Sequence, residues 1–103
     1  MNGYILSPTA REDLVDIRDY YRKEAGYRVA RRIQVEFVEA FRFLAKVPGA
    51  GHRREDLADD RSILFWAMRD FLVLYKPATS PVLIVTIVRG SQDVPAIVKR
   101  RAL

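Results

Sequence analysis

The sequence predicts an α+β fold: a short N-terminal strand and an antiparallel helical hairpin packed on one face of a small, mostly antiparallel sheet, then a short C-terminal helix. Three observations carry this prediction. Two stretches, Ser7 to Gly26 and Tyr27 to Val47, repeat their apolar residues at helical spacing. Three short apolar segments then follow between Ser62 and Val88, separated only by turns, as in an antiparallel meander. A last apolar stripe begins after Asp93.

Asn2 to Leu6 is the candidate first strand. Ser7-Pro8 supplies an N-cap followed by proline at the first helical position, where its missing N–H costs little. In the first helix Ala10, Leu14, Ile17 and Tyr21 form the apolar stripe. Glu12, Asp13, Asp16 and Asp19 lie on the other side, towards the end that the helix dipole favours for acids. Their spacing spreads these carboxylates over the helix surface, so they read as a solvated face rather than a convergent acid–base pair. The helix ends around Ala25-Gly26. The second carries Val29, Ile33, Phe37, Ala40 or Phe41, and Leu44, and Pro48-Gly49 stops it. So short a connection permits only an antiparallel hairpin. Asp19 with Lys23, and Arg32 with Glu36, stand four apart and are expected to pair for roughly 0.3 kcal/mol each.

Gly49 to Arg61 is polar and irregular, long enough to be functional or mobile, with Leu57 its one apolar anchor. The strands follow as Ser62–Met68, Phe71–Tyr75 and Val82–Val88, with Arg69-Asp70 and Pro77–Pro81 as turns. Each strand is apolar at odd and even positions alike, so both faces of the sheet require cover. The hairpin supplies one cover, and the other face is expected to stay open for a partner. Trp66, pointing opposite to Phe65, is the residue expected on that open face. Asp93 caps the last helix, in which Val94, Ile97 and Val98 form a short apolar stripe and Pro95 falls in the tolerant first turn.

The chain of 103 residues is expected to form a single domain, large enough to bury about 60–68% of its unfolded surface and too small for a second independent core. Hydrophobic residues at 50% and charged ones at 30% exclude a disordered tail. No apolar run reaches the ~18 residues of a membrane span, and the N-terminus lacks the basic start and long apolar run of a secretory signal, so a cytoplasmic location is expected. Without cysteine there is neither a disulfide framework nor a thiolate metal site. A net charge of +5 points to nucleic acid, an acidic protein or plain solvation. Both halves of the chain share this charge almost equally, and the sharper asymmetry lies at the end, where Arg89, Lys99, Arg100 and Arg101 face only Asp93.

In this order and spacing, several segments together resemble ParE-type toxins of bacterial toxin–antitoxin systems, within the RelE/ParE superfamily. They are Ser7-Pro8-Thr-Ala-Arg-Glu-Asp-Leu14 with Ile17 and Tyr20-Tyr21, then Leu44-Ala-Lys-Val-Pro48-Gly49, and the loop's Gly51-His-Arg53. Phe71-Leu-Val-Leu-Tyr75 and Ile84-Val-Thr-Ile-Val-Arg-Gly90 followed by Asp93 resemble the last two strands of such toxins. The resemblance spans nearly the whole chain. It implies a non-enzymatic toxin that stalls DNA gyrase on cleaved DNA and is neutralised by a small ParD-like antitoxin, with no cofactor or metal. DNA itself would be reached only through the antitoxin or gyrase. One departure stands out: many members carry His-Gly-Arg-Arg-Asp-like residues after the last strand, where this chain has Arg89-Gly90-Ser91-Gln92-Asp93.

Two other classes stay open at this level, a ribosome-dependent messenger ribonuclease and a binding module that has lost activity. Cleaving RNA through its 2′-hydroxyl needs a base, an acid and cations around the phosphorane. In the nuclease relatives a tyrosine or histidine near the C-terminus takes part. No His or Tyr follows Arg89, and Val98 stands roughly where such a tyrosine is expected. His52, the only histidine, belongs to the loop and reads as incidental. Tyr4, Tyr20, Trp66 and Tyr75 read as core aromatics before stacking platforms. Candidate target-binding residues are Arg89, Lys99, Arg100 and Arg101. Candidate antitoxin-binding residues are Arg61, Trp66 and Arg69, which flank the strands where an acidic partner segment can add a strand or lay a helix. No catalytic residue is assigned.

Overall fold

The computed structural model describes residues 3–103. Strand β1 (Tyr4–Leu6) leads into α1 (Pro8–Ala25) and α2 (Tyr27–Lys46), followed by one 3₁₀ turn at Pro48–Ala50. The meander β2 (Leu64–Met68), β3 (Phe71–Lys76) and β4 (Val82–Arg89) and a final α3 (Val94–Arg100) complete the chain. Asn2, expected at the start of β1, lies outside the described residues.

The capping residues act as expected. Ser7 Oγ accepts the Ala10 N–H at 3.0 Å, with Pro8 at the first helical position. Gly26 joins the helices at φ +91°, a conformation that favours glycine, so the hairpin turns within one residue. Asp93 Oδ1 accepts the Ala96 N–H at 3.3 Å at the start of α3.

The four strands are ordered β1-β4-β3-β2, with β1 parallel to β4 and the other pairs antiparallel. Tyr75 pairs with Ile84 but Leu74 pairs with Thr86, which leaves Val85 unmatched as a bulge. A bulge shifts the alternation by one residue. Ile84 and Ile87, three apart, thereby both face the hairpin. The Ser7 hydroxyl donates to the bulge carbonyl of Val85, so the residue that caps α1 also satisfies the irregularity in β4.

Both sheet faces are covered, which corrects the expected open face. On one side Ile33, Phe37, Phe41 and Leu44 of α2 and Ala10 and Ile17 of α1 pack on Phe71, Val73, Tyr75, Ile84 and Ile87. On the other, Phe65, Leu74 and Val88 are buried beneath Ala58 and Ile63 of the loop and Val94, Ile97 and Val98 of α3. The two clusters share the same strands. Leu57 is not the loop's one anchor: Ala58 is buried, and His52 exchanges backbone hydrogen bonds of 2.9 and 2.8 Å with Phe65, while Ile63, expected inside a strand from Ser62, is buried just before β2 begins at Leu64.

Candidate functional site

Two surfaces gather the residues singled out above: the end of β4 with α3, and the free edge of β2. At the first, β4 runs beyond the end of β1, because Ser7 already begins the turn into α1. The N–H of Ile87, left without a strand partner, donates to Asp13 Oδ2 at 2.9 Å, a buried carboxylate standing in for a missing strand. The Thr86 hydroxyl donates to the same oxygen at 2.6 Å. Arg101 Nη1 reaches both Asp13 oxygens at 3.2 Å and also donates to Thr86 Oγ1. Asp13 is only 8% exposed. The expected solvated face of α1 therefore holds only for its other acids, Glu12, Asp16 and Asp19, which are exposed.

Arg89 sits above an aromatic shelf. Its Cζ lies 4.7 Å from the Tyr20 ring centroid, 5.0 Å from that of Phe71 and 5.9 Å from that of Tyr21. Stacking of this kind holds a guanidinium in place, and the Arg89 N–H donates to Gln92 Oε1 at 3.0 Å, closing the turn into α3. The four cations expected to act together thus divide into two pairs. Arg89 and Arg101 are half-buried and engaged within the chain, whereas Lys99 and Arg100 are exposed and form no ion pair among the described residues.

At the other edge of the sheet, Trp66 does not lie on an open face. Its register partner Val73 belongs to the hairpin side, and its ring meets Phe43 of α2 at 5.2 Å. Phe43 is 41% exposed and Val47, one turn on, 47%, so a strip of apolar surface runs along α2 beside Trp66. Arg69 holds the β2–β3 turn at φ +53° and binds Glu36 through two hydrogen bonds of 2.6 and 2.7 Å. The Arg69 hydrogen bonds keep the Glu36 carboxyl below its usual pKa. Glu36 pairs with Arg69, and Asp19 with its neighbour Arg18 at 3.2 Å, in place of the helix pairs expected with Arg32 and Lys23. Arg61 is exposed before β2 and makes no ion pair among the described residues. His52 covers the outer edge of β2 only opposite Phe65, and exposed Ala67 follows on the same edge.

Tyr75, buried as expected of a core aromatic, and Gly51 organise the turn after α2 through a contact that pattern reading does not show. The Tyr75 hydroxyl donates to the Pro48 carbonyl at 2.7 Å and accepts the Gly51 N–H at 2.8 Å. Burial pushes its pKa up, so it stays protonated as a donor. A Cβ on Gly51 would lie 2.6 Å from that hydroxyl and 2.9 Å from the Phe65 carbonyl, so only glycine fits this approach. Among the described residues no group of three or more His, Cys, Asp or Glu side chains is arranged to hold a metal, and no helix is long and apolar enough to cross a membrane.

The family described as "ParE toxin of type II toxin-antitoxin system, parDE" matches residues 4–94. Among solved structures, the chain is similar to one from the chromosomal ParDE TA system of P. aeruginosa. That alignment has 21% identity and a TM-score of 0.72, and covers 86% of this chain and 96% of that one. No curated relative matches.

Proposed function

Because the chain belongs to the ParE toxin family of type II toxin–antitoxin systems, we propose that it is a cytoplasmic toxin. It binds and poisons DNA gyrase without chemistry of its own and is held inactive by a ParD-like antitoxin. The observation that carries the choice against the ribonuclease class is the fate of the C-terminal segment. Val98, roughly where the resemblance to nuclease relatives leads one to expect a tyrosine, is buried against the sheet in the second apolar cluster. Arg101 and Arg89, the two half-buried cations at this end of the sheet, are committed to Asp13 and to the Tyr20–Phe71 shelf. A surface that binds rather than cleaves fits this arrangement.

Target contact is assigned to Lys99 and Arg100, with Arg89 and Arg101 fixing the end of β4 and α3 beneath them. The motive is that the first two cations are exposed and carry no internal partner. Lys99→Glu with Arg100→Glu should abolish growth inhibition at equal protein level while the fold, followed by circular dichroism, is unchanged. Unaltered toxicity removes these residues from the target surface.

The antitoxin is assigned to the β2 edge. Its apolar residues would cover Phe43, Val47 and Trp66, its backbone would pair beside Ala67, and its acids would meet Arg61 first, with Arg69, already bound to Glu36, at the margin of the same surface. The support is the exposed apolar strip running beside a partly unpaired strand edge. Phe43→Ala with Trp66→Ala should weaken antitoxin binding at least tenfold by calorimetry, and a folded variant that binds as the wild type does excludes this surface.

The function itself is tested by expressing the chain alone from a tight promoter while following chromosome integrity and messenger cleavage. Double-strand breaks with intact messengers are expected. Messenger cleavage at translated codons would place the chain among the ribonucleases, and normal growth would make it a binding module.

A further inference from the structure

We propose that the tip of the helical hairpin is a surface for the phosphate backbone of duplex DNA, which the chain contacts directly. Between Arg18 and Arg32, six basic residues stand against only Asp19 and Glu24, a local surplus of four in a chain whose net charge is +5. All eight side chains are exposed. The surplus is invisible when the two halves of the sequence are compared, because the acids elsewhere on α1 and α2 offset it.

The turn at Gly26 gathers these charges in space. Arg22 Cζ lies 5.9 Å from the Tyr27 ring centroid, so the end of α1 meets the start of α2. Arg18 and Arg22, four apart, share one side of α1, and Arg28, Arg31 and Arg32, at i, i+3 and i+4, share one side of α2, while Lys23 is turned about 100° from Arg22. Of the six, only Arg18 forms an ion pair among the described residues. Like charges at i and i+4 destabilise a helix. Arg28 and Arg32 thus repel each other along α2, with Glu36 near Arg32 the only acid among the described residues that eases the repulsion, whereas a polyanion would offset it.

The aromatic residues favour paired over unpaired nucleic acid. Single strands are bound by stacking their bases on free rings. Here Arg22 lies over Tyr27, while Tyr20 packs edge-on against Tyr21 at 5.1 Å and carries Arg89 on its face at 4.7 Å. Neither ring is a bare platform. An anionic membrane would call for a broad apolar face beside the cations, yet between Arg18 and Arg32 the only exposed large apolar residues are these two tyrosines. Neutralising phosphates needs neither feature, only exposed Lys and Arg at the spacing of a backbone.

The interaction is independent of gyrase, and its test contains no topoisomerase. The full chain is titrated into a fluorescent duplex of roughly 20 base pairs of arbitrary sequence, across a range of salt concentrations, and binding is read by anisotropy. Wild-type affinity should fall steeply with salt. Arg28→Ala with Arg31→Ala and Arg32→Ala, which keeps good helix formers in α2, should bind at least tenfold more weakly. Its log–log salt slope should be shallower by about 2–3, near 0.9 for each phosphate no longer neutralised. Lys99→Ala with Arg100→Ala should change duplex affinity less than threefold. Arg28→Glu, an acid in the first helical turn where the dipole favours it, provides a second variant expected to fold and to bind at least threefold more weakly. The proposal is overturned if the wild type does not bind duplex, if the tip variants bind as it does, or if the α3 pair weakens binding as much as the tip. A preference for single-stranded DNA or RNA of equal length also overturns it, in favour of an unpaired ligand.

Discussion

Asp13 shows how one side chain joins three elements. It belongs to α1, accepts from β4 and is clamped by Arg101 just beyond α3. Its removal leaves a strand N–H, a hydroxyl and a guanidinium without their acceptor, and each loss has a desolvation cost. Asp13→Ala should therefore destabilise the fold by about 2–4 kcal/mol in urea unfolding. Asp13→Asn should cost less, because its amide oxygen still accepts from Ile87. The signal was present in the sequence: Asp13 is three residues after Ala10 and four before Ile17, on the apolar stripe itself. Glu36 presents the exposed counterpart. Its folded pKa is depressed, so the Arg69 pair contributes stability above the unfolded carboxylate pKa of about 4.3 and loses it as pH falls through the lower folded value. Measured between pH 5 and pH 2, roughly the carboxylate range, the stability of Glu36→Gln should fall less steeply than that of the wild type. High salt should narrow the difference, since both groups are near the surface.

At the scale of elements, the turn after α2 shows why a loop that reads as irregular is held in place. Tyr75 reaches out of β3 to pin both ends of Pro48–Gly51, and the space it fills leaves no room for a side chain at Gly51. Tyr75→Phe should cost about 1–2 kcal/mol, because it strands a carbonyl and an N–H. Gly51→Ala should cost about 1–3 kcal/mol through overpacking, although its φ of −73° is ordinary for any residue. Thermal unfolding of both variants checks the pair; a neutral Gly51→Ala would mean that the turn moves freely away from Tyr75. The helices, strands and caps of this region were legible from local spacing. The pin was not, because residues 51 and 75 are distant in sequence and neither breaks a pattern.

On the scale of the whole molecule, α3 is part of the core rather than a loose basic tail. Val94, Ile97 and Val98 close the second sheet face, and burying such side chains is worth about 1.5–3 kcal/mol each. Their sum is comparable to the ~5–15 kcal/mol stability of an ordinary domain. A chain ending at Asp93 should therefore expose Phe65, Leu74 and Val88, bind a hydrophobic dye and lose cooperative unfolding. If it unfolds as the intact chain does, α3 is dispensable cover. The covered face also moves the antitoxin surface proposed above from the sheet to the strip beside Trp66 on the β2 edge.

The sequence by itself determined the elements, their order, their caps and the need for cover on both sheet faces, because periodicity, turn residues and capping are written in the spacing of near neighbours. Tertiary structure alone decided which element covers each face, which side Trp66 takes, and which cations are free to meet a partner. A strand apolar on both faces carries no mark of which face the helices will choose, and a one-residue shift reverses it. Here the Val85 bulge and the pairing of β2 with β3 set that choice. The engagement of Arg89 and Arg101 follows from the meeting of α1, β4 and α3, a long-range event that leaves no trace in the run of charges around them.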